Sequence, residues 1–304
     1  MKQTVSLVTG GCGFIGSHLV DKLISNKHEV RVIDNESAVC NEIFYKNIGA
    51  KYYKISINDY AAIEPLFKDV DYVYHFASES RIGTSLENPS LACLTNLVGT
   101  SNVLQASVKH RVRKLVYSST SACYGLRNKC PMKETMPRDN LNPYSLTKLA
   151  GEELVIMFYK LWGLPTIALR YFNVYGKRMP TTGIYAPVLG IFLRQKKAGQ
   201  ALTVVGTGKQ QRDFIHVDDI INANMLAAFT TNKKAFGQAF NIGSGKNIGV
   251  LELAKIIEKD SKKIKFLPSR VGEAKNTLAD ITKAKKILNF SPKINLQDWL
   301  LGQL

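Results

Sequence analysis

Residues 5–16, Val5-Ser6-Leu7-Val8-Thr9-Gly10-Gly11-Cys12-Gly13-Phe14-Ile15-Gly16, decide the fold. The short apolar run at the start predicts a buried strand, and the apolar spacing from Ile15 to Ser25 predicts a helix. Glycines at positions 10, 13 and 16 lie between and within these elements. A strand that passes through a glycine turn directly into a helix is typical of the start of a parallel βαβ unit.

Strand-like runs alternate with amphipathic stretches up to about residue 175, and the pattern is looser beyond it. This alternation predicts an α/β fold with a doubly wound parallel sheet, followed by a smaller C-terminal α/β lobe. We expect a division at residues 1–175 and 176–304, with some interleaving of the chain. The predicted strands are 5–8, 29–33, 51–55, 72–76, 114–118 and 166–170, and the predicted helices are 15–25, 59–67, 89–109 and one that begins near Tyr144.

Length and composition describe an ordinary globular protein. The chain has 304 residues, of which 45% are hydrophobic and 21% charged. No apolar run approaches the roughly 20 residues that cross a bilayer, and the N-terminus does not resemble a secretory signal. The cysteines (Cys12, Cys40, Cys93, Cys123 and Cys130) are scattered without metal-type pairing. We therefore expect reduced thiols, no metal site, no membrane contact and a cytoplasmic location.

The charge is unusual, because 41 Lys and Arg against 24 Asp and Glu give a net charge of +17. Residues 255–293 alone hold eleven basic and four acidic side chains. They alternate with apolar residues at helical spacing, which is typical of a solvated helix face. No basic-aromatic pattern accompanies them, so we do not expect a nucleic-acid partner.

The glycine turn has the features of a dinucleotide site. Gly10 would form the tight turn, Gly13 would let the backbone approach a pyrophosphate, and Gly16 would let helix and strand pack closely. The amides at the start of the helix would bind the anion. Asp34 follows the second strand, where a carboxylate accepts hydrogen bonds from the ribose hydroxyls and repels a 2′-phosphate. This pattern predicts NAD rather than NADP.

A second group of residues has the features of an acid/base site. Tyr144 and Lys148 lie four residues apart and share one helix face. A nearby ammonium, helped by the positive nicotinamide ring of NAD, favours the phenolate form of a tyrosine. Thr120 follows a strand within Ser118 to Gly125 and could bond both a substrate oxygen and the Tyr144 phenol. The alternatives are a solvated Tyr/Lys pair and a serine-rich turn; we expect Cys123 to be a small core residue.

Together these motifs resemble those of the extended short-chain dehydrogenase/reductase family, in particular its NAD-dependent nucleotide-sugar epimerases and dehydratases (UDP-glucose/UDP-GlcNAc 4-epimerase-like). The resemblance covers essentially the whole chain. The matching segments are Thr9 to Gly16, His75 to Ala77, Asn96 to Thr100, Ser118 to Gly125, Tyr144 to Lys148, Arg170 to Gly176, Arg212 to Asp219 and Arg270 to Glu273.

The resemblance implies a Rossmann domain with tightly held NAD and a nucleotide sugar, expected to be a UDP-sugar, bound across the second lobe. By this likeness Thr120, Tyr144 and Lys148 are catalytic. The cofactor contacts that it implies are Gly10, Gly13, Phe14, Ile15, Gly16, Asp34, Asn35, Ser56, Ile57, Phe76, Ala77, Ser78, Asn96, Ser118, Tyr144, Lys148, Tyr171 and Val174. The substrate contacts that it implies are Thr120, Tyr144, Asn173, Ala186, Val188, Thr203, Val205, Arg212, Arg270, Glu273 and Thr277.

The residues that follow Thr120 restrict the set of reactions that the resemblance allows. Similar 4,6-dehydratases carry an Asp-Glu pair there and similar decarboxylases keep a Glu, whereas this chain has Ser121-Ala122. The resemblance then favours epimerisation at C4, in which Tyr144 takes the O4 proton, the C4 hydride passes to NAD, and both return to the opposite face of the 4-keto sugar. A UDP-glucuronate 4-epimerase and a nucleotide-sugar ketoreductase or dehydrogenase remain alternatives.

The resemblance also bears on the substrate and the assembly. Thr277 stands where similar hexose-only epimerases have a bulky tyrosine, so an N-acetyl group would fit as well as a hydroxyl. Ser56 replaces an Asp that many relatives have. Ser80 replaces a Lys that is frequent in hexose epimerases, and this second difference weakens a strict assignment to UDP-galactose 4-epimerase. Helices 89–109 and 144–162 would form a four-helix interface in a homodimer; packing of both against the sheet is the alternative.

Overall fold

A computed structural model describes residues 3–38, 44–182, 186–269 and 274–304. The strands are β1 (Val5–Thr9), β2 (Glu29–Ile33), β3 (Lys51–Tyr53), β4 (Tyr72–His75), β5 (Lys114–Thr120), β6 (Thr166–Tyr171), β7 (Asn173–Tyr175), β8 (Leu202–Val205), β9 (Gln211–Arg212), β10 (Phe214–His216), β11 (Gln238–Ile242), β12 (Ile248–Gly249) and β13 (Ile264–Leu267). The α-helices are α1 (Phe14–Ser25), α2 (Tyr60–Ile63), α3 (Ile82–Glu87), α4 (Pro89–Cys93), α5 (Thr100–Lys109), α6 (Pro143–Trp162), α7 (Val188–Lys197), α8 (Val217–Phe229), α9 (Val250–Ile257), α10 (Thr282–Leu288) and α11 (Leu296–Leu301). A π-helical segment (Leu94–Gly99) joins α4 to α5, and 3₁₀ turns occur at Glu64–Phe67, Ser121–Tyr124, Lys233–Ala235 and Ser261–Lys263.

Seven of these strands form one sheet in the order β3-β2-β1-β4-β5-β6-β11. Every neighbouring pair is parallel. The order reverses between β1 and β4, because the chain runs outward from β1 to β3 and then crosses back. In open parallel sheets, ligands bind beside the carboxyl ends of the strands at such a reversal. The predicted doubly wound parallel sheet is therefore confirmed, and its topology places a crevice beside Gly10.

Helices cover both faces of this sheet, and alternate strand residues enter two different cores. Val8 packs on the face covered by α1 and α8, in one cluster of buried side chains. Leu7 packs on the other face, in a cluster with residues of α5 and α6 such as Val103 and Val155. Burial of successive residues on opposite faces explains why the strands are apolar almost throughout.

The C-terminal part of the chain forms a smaller lobe with its own core. Its strands pair as β7 with β10, β9 with β12 and β8 with β13. The lobe core includes Phe192 of α7, Leu202 of β8 and Leu253 of α9. Strand β11 returns to the main sheet and pairs with β6. The division into residues 1–175 and 176–304 remains a prediction. Because β11 belongs to the main sheet, the chain after residue 175 contributes both to that sheet and to the smaller lobe.

Some predicted elements differ in detail. The helix predicted over residues 89–109 contains the π segment, whose wider turns hold one more residue than α turns do. The helix predicted over 59–67 is a short α-helix followed by a 3₁₀ turn, and Pro65 lies at the start of that turn, where a missing backbone N–H is tolerated. The strand predicted to reach Ile55 ends at Tyr53. Helix α3 and the turn Ser121–Tyr124 were not predicted.

Within the four described ranges, no helix combines the length and the apolar composition needed to cross a membrane. His, Cys, Asp and Glu side chains in those ranges form no group that could hold a metal ion. Cys12, Cys93, Cys123 and Cys130 are free thiols, and Cys123 is buried as predicted.

Candidate active site

The glycine turn has the shape that a bound pyrophosphate requires. Gly10 has a φ of +72°, and a Cβ there would lie 2.6 Å from the Ala77 amide nitrogen. A Cβ at Gly16 would lie 2.2 Å from the Gly10 carbonyl oxygen, so only glycine lets α1 start this close to the turn. Gly13 is the N-cap of α1; no side chain caps it, and the first turn contains no acidic residue. The positive end of α1 is thus left for an external anion.

Asp34 lies beside this turn at the end of β2. Its carboxylate accepts hydrogen bonds from the backbone amides of Cys12 (2.9 Å) and Glu36 (2.8 Å). These two bonds fix the carboxylate next to the glycine turn, where it can meet a ribose. The neighbouring Asn35 is exposed and accepts bonds from the Ser37 amide and hydroxyl.

The other predicted cofactor residues line the same sheet edge. Ala77 donates its amide to the Thr9 carbonyl (3.1 Å) and hydroxyl (3.2 Å), which holds the segment Phe76–Ser78 against the turn. Ser56 and the buried Ile57 follow β3. Phe14 and Ile15 begin α1, and Val174 lies in β7.

Three predicted cofactor residues make hydrogen bonds within the protein. Asn96 is 1% exposed, and its side-chain amide donates to the Glu79 carbonyl (3.0 Å) and the Thr147 hydroxyl (2.9 Å). The Tyr171 hydroxyl bonds Asn224 (3.0 Å) and also the Ser118 side chain. These contacts hold the Asn96 side chain against α6 and the Tyr171 side chain against α8.

The predicted catalytic side chains come together where β5 ends and α6 begins. Thr120 is the last residue of β5, and its side chain lies close enough to Tyr144 to lower the pKa of that phenol. Asn142 caps α6 by accepting from the Ser145 amide (2.9 Å), which places Tyr144 in the first turn. Lys148 lies one turn further on and is 2% exposed. The structure therefore places Tyr144 and Lys148 one turn apart on α6, as their spacing predicts, and Thr120 at the end of β5.

Burial controls the proton affinities of this group. It raises the pKa of Tyr144 above its usual value, and the nearby Thr120 side chain opposes this only in part. Burial also lowers the pKa of Lys148 to about 7. Protein groups alone thus leave the phenol protonated at neutral pH, so the shift towards phenolate that the sequence suggests depends on positive charge brought into the site.

The comparisons with known proteins identify the family of this chain. Residues 6–243 match the family model described as the NAD dependent epimerase/dehydratase family. The chain belongs to the NAD-dependent epimerase/dehydratase family. It is 38% identical to a putative UDP-glucose 4-epimerase of Methanocaldococcus jannaschii, covering 96% of this chain and 94% of that protein.

Solved structures of the same family are also similar. A UDP-glucose 4-epimerase of Thermotoga maritima, solved with UDP-glucose, has a TM-score of 0.91 at 35% identity, covering 98% of this chain and 96% of that one. A UDP-N-acetylglucosamine 4-epimerase of Methanobrevibacter ruminantium has a TM-score of 0.89 at 32% identity, covering all of both chains. NAD is the cofactor of this family, and the open helix end, the glycine turn and Asp34 fit it.

The other predicted substrate residues fall into two groups. In the first, the Asn173 amide donates to the Asp213 carbonyl (2.8 Å) and the Thr277 hydroxyl (3.3 Å), while the Arg212 guanidinium donates to the Gln211 carbonyl (3.0 Å). The second group lies on or just before α7 and β8, and consists of Ala186, Val188, Thr203 and Val205. Arg270 and Glu273 lie outside the described residues.

Sequence reasoning missed a buried ion pair beneath the catalytic group. Glu152, one turn after Lys148 on α6, and Arg170 of β6 are both 0% exposed. The Arg170 Nε donates to Glu152 at 2.9 Å, and the Ser119 hydroxyl donates to the same carboxylate at 2.6 Å. Arg170 also donates to the Tyr124 hydroxyl at 2.8 Å. The signal was present in the spacing 144, 148 and 152, which places three polar side chains on one helix face.

Proposed function

We propose that this enzyme interconverts the C4 epimers of a UDP-sugar, either UDP-GlcNAc and UDP-GalNAc or UDP-glucose and UDP-galactose. The observation that carries the proposal is the buried arrangement of Tyr144 and Lys148 one helix turn apart on α6, with Thr120 at the end of β5 close enough to affect the pKa of Tyr144. Ser121 and Ala122 follow Thr120, and neither exchanges a proton readily at neutral pH. A site with one acid/base group suits proton transfer at a single hydroxyl better than loss of water or carbon dioxide.

Each residue of the group has a distinct part in this reaction. Tyr144 as phenolate takes the proton from the sugar O4 and later returns it. Thr120 aligns that phenol through its hydroxyl, and protonated Lys148 stabilises the phenolate. NAD, when bound, supplies a positively charged ring that takes up the C4 hydride and gives it back. The protein contributes position and electrostatics, and the cofactor contributes the hydride chemistry.

Thr277 supports a substrate with room around the sugar. Its hydroxyl accepts hydrogen bonds from Asn173 and from the Asp213 amide at 3.3 Å each, so its side chain is held against the protein. A tyrosine at this place would fill space that a threonine leaves open. The proposal therefore includes N-acetylhexosamines, with Asn173 and Arg212 on the nucleotide-diphosphate side. Arginine suits that role because its planar fork bonds two phosphate oxygens.

We further propose that two copies pair through α4, α5 and α6. Leu91, Leu94 and Val98 are 37%, 44% and 47% exposed and recur at helical spacing on the first helical run. On α6, Leu146 and Leu161 are 55% and 65% exposed. Apolar stripes of this kind on neighbouring helices are typical of subunit interfaces. A molar mass of twice the chain mass in light scattering supports the pairing, and a single-chain mass at micromolar concentration contradicts it.

A cytoplasmic location is part of the same proposal. The described cysteines are free thiols, which is typical of a reducing compartment. Fractionation of the native cells tests it, with activity expected alongside cytoplasmic marker enzymes.

Proton NMR of the purified protein with one sugar nucleotide at a time tests the reaction. UDP-GlcNAc, UDP-glucose and UDP-glucuronate are supplied in separate tubes without added cofactor, and a new anomeric signal at constant total sugar identifies the substrate. Tyr144→Phe should lower turnover by about 10²–10⁴-fold, the usual contribution of a positioned acid/base group. Tyr159→Phe, a half-buried tyrosine later on α6, is the matched control and should change little.

The same tubes separate the alternatives. Conversion of UDP-glucuronate alone would identify a glucuronate epimerase. Strict dependence on added NAD(P)H would identify a ketoreductase or dehydrogenase and refute the epimerase proposal. Full turnover by Tyr144→Phe would show that the proton is carried by another group.

A further inference from the structure

Tyr117 contacts the catalytic lysine through its aromatic ring. The Lys148 Nζ lies 4.4 Å from the centre of this ring. Tyr117 is 0% and Lys148 2% exposed, so water hardly competes for the amine. A cation over the face of an aromatic ring is attracted by the ring quadrupole, most strongly where both groups are desolvated. The ring therefore favours the protonated form of Lys148 in a place where burial disfavours it.

Tyr117 also contacts the backbone of the same helix turn. Its hydroxyl donates to the Lys148 carbonyl oxygen at 3.1 Å. Gly151 makes this approach possible, because a Cβ there would lie 2.4 Å from the Tyr117 hydroxyl oxygen. One residue of β5 thus holds both the charged end and the backbone of Lys148.

A row of buried polar groups leads from Tyr117 towards the glycine turn. Burial raises the pKa of Tyr117, and the neighbouring Thr100 side chain opposes this in part. His75 Nε2 lies 2.9 Å from the Thr100 hydroxyl, and His75 Nδ1 lies 2.7 Å from the Thr9 hydroxyl. Burial lowers the pKa of His75 to about 3, so the ring is neutral and donates from one nitrogen only. The neutral His75 ring thus joins the Thr100 and Thr9 hydroxyls, with one ring nitrogen donating and the other accepting.

We propose that Tyr117 is a positioning residue for Lys148. Its ring keeps the amine protonated and in place, and its hydroxyl fixes the turn of α6 against the strand that also carries Thr120. The buried polar groups Thr100 and His75 then connect that turn to the start of the cofactor-binding glycine turn. The proposal rests on the proposed function, in which Lys148 supports the Tyr144 phenolate.

The groups around Lys148 determine whether loss of the Tyr117 ring raises or lowers the pKa of the amine. Tyr144 and Glu152 face it from α6, His75 from β4 and Tyr117 from β5. Glu152 raises the pKa of Lys148, but burial has the larger effect and lowers it to about 7. Removal of the ring takes away one of the interactions that favour the charged amine. The pKa of Lys148 should therefore fall, and activity should be lost at lower pH on the alkaline side.

Four variants of the holoenzyme distinguish the effect of the Tyr117 ring from that of its hydroxyl. Tyr117→Phe keeps the ring, and Tyr117→Leu removes it. Tyr74→Phe and Tyr74→Leu are the matched controls, because Tyr74 of β4 is equally buried but packs in the other core, where its hydroxyl lies 3.9 Å from the Met225 sulfur. We measure kcat and KM from pH 6 to pH 10.

We expect Tyr117→Leu to lower kcat at least tenfold with little change in KM, and to move the alkaline limb down by about one pH unit. Tyr117→Phe should lower kcat several-fold and leave the pH of the alkaline limb unchanged. The Tyr74 variants should leave both unchanged. An alkaline limb in Tyr117→Leu that coincides with that of Tyr74→Leu, together with equal kcat values, would overturn the proposal.

A double-mutant cycle tests the contact without any substrate. Thermal unfolding of wild type, Tyr117→Leu, Lys148→Met and the double variant is compared at pH 5.5 and pH 9. At pH 5.5 the two losses in Tm should be sub-additive by about 2–4 °C, and at pH 9, where Lys148 is neutral, they should add. Additive losses at both pH values would refute the contact, even if the proposed reaction were correct.

A correct cycle in a protein that converts no nucleotide sugar would instead support the contact and refute the proposed function. Should Tyr117→Leu fail to fold, Tyr117→Met, which also removes the ring but fills more of its space, carries the same comparisons.

Discussion

Replacing Arg170 by methionine should destabilise the protein strongly, because the buried Glu152 carboxylate would keep only the Ser119 hydroxyl and the more distant Arg138 guanidinium, 3.8 Å away. Both side chains are 0% exposed, and Arg170 Nε donates to Glu152 at 2.9 Å. Removing one partner of a buried ion pair costs about 3–5 kcal/mol. For a chain of this size that corresponds to a Tm lower by roughly 5–8 °C.

Arg113→Met is the matched control. Arg113 Nε also pairs with a carboxylate, Asp71, at 3.0 Å, but its side chain is 70% exposed. Exposed pairs contribute about 0–1 kcal/mol, so this variant should melt close to the wild type. Calorimetry and urea unfolding at pH 7.5 measure both. Equal losses in Arg170→Met and Arg113→Met would refute the view that burial of the pair matters.

The size of the Arg170→Met effect should depend on pH. Burial alone raises the pKa of Glu152, but in the wild type bonds from Arg170 and Ser119 outweigh it and hold that pKa below its usual value. The wild-type carboxylate therefore stabilises the fold above its usual pKa, and that contribution is lost as the pH falls through the lowered value. Without Arg170 the folded-state pKa rises, so stability falls as the pH rises. The difference between the two proteins should be small near pH 4 and largest near pH 8.

Two further substitutions test glycines at which an added Cβ would lie too close to a neighbouring atom. Gly16→Ala places a Cβ 2.2 Å from the Gly10 carbonyl oxygen and should abolish retention of NAD, assayed as nucleotide released from the purified protein on denaturation. Gly249→Ala, with no Cβ contact shorter than 3.7 Å, is its control and should retain the cofactor; retention by both would contradict the assigned site. Gly151→Ala should lower kcat and Tm together, because the new Cβ displaces the Tyr117 hydroxyl from the Lys148 turn. Unchanged kcat in a folded Gly151→Ala protein would show that this bond does not position the lysine.

The strands of the main sheet were largely predictable because both of their faces are buried. A parallel strand covered by helices on each side is apolar throughout, as in Val116-Tyr117 of β5, and short apolar runs are easily recognised. Strand β11 escaped prediction since it follows a long excursion of the chain into the second lobe. The π segment also escaped, because a single extra residue per turn leaves little trace in an apolar pattern.

The proximity of Tyr144 and Lys148 was predictable from their spacing, and the buried ion pair beneath them was not. Tyr144 and Lys148 lie on one helix turn, so their proximity follows from helix geometry. Glu152 and Arg170 are 18 residues apart on different elements, and only the packing of α6 on β6 brings them together. At Asn96 the sequence motif predicted a cofactor contact but not the internal hydrogen bonds. In the structure its side-chain amide donates to the Glu79 carbonyl and to the Thr147 hydroxyl.

The most direct test of the central claim is the fate of the hydrogen at C4 of the sugar. The protein is incubated in D₂O with UDP-GlcNAc, UDP-glucose or UDP-glucuronate, and the products are read by proton NMR. In the proposed reaction Tyr144 exchanges its proton with solvent, whereas the C4 hydrogen passes as hydride to NAD and back without reaching solvent. The account predicts a C4 epimer that keeps protium at C4 and forms without added cofactor. An epimer with deuterium at C4, or no epimer from any of these nucleotides, would contradict it.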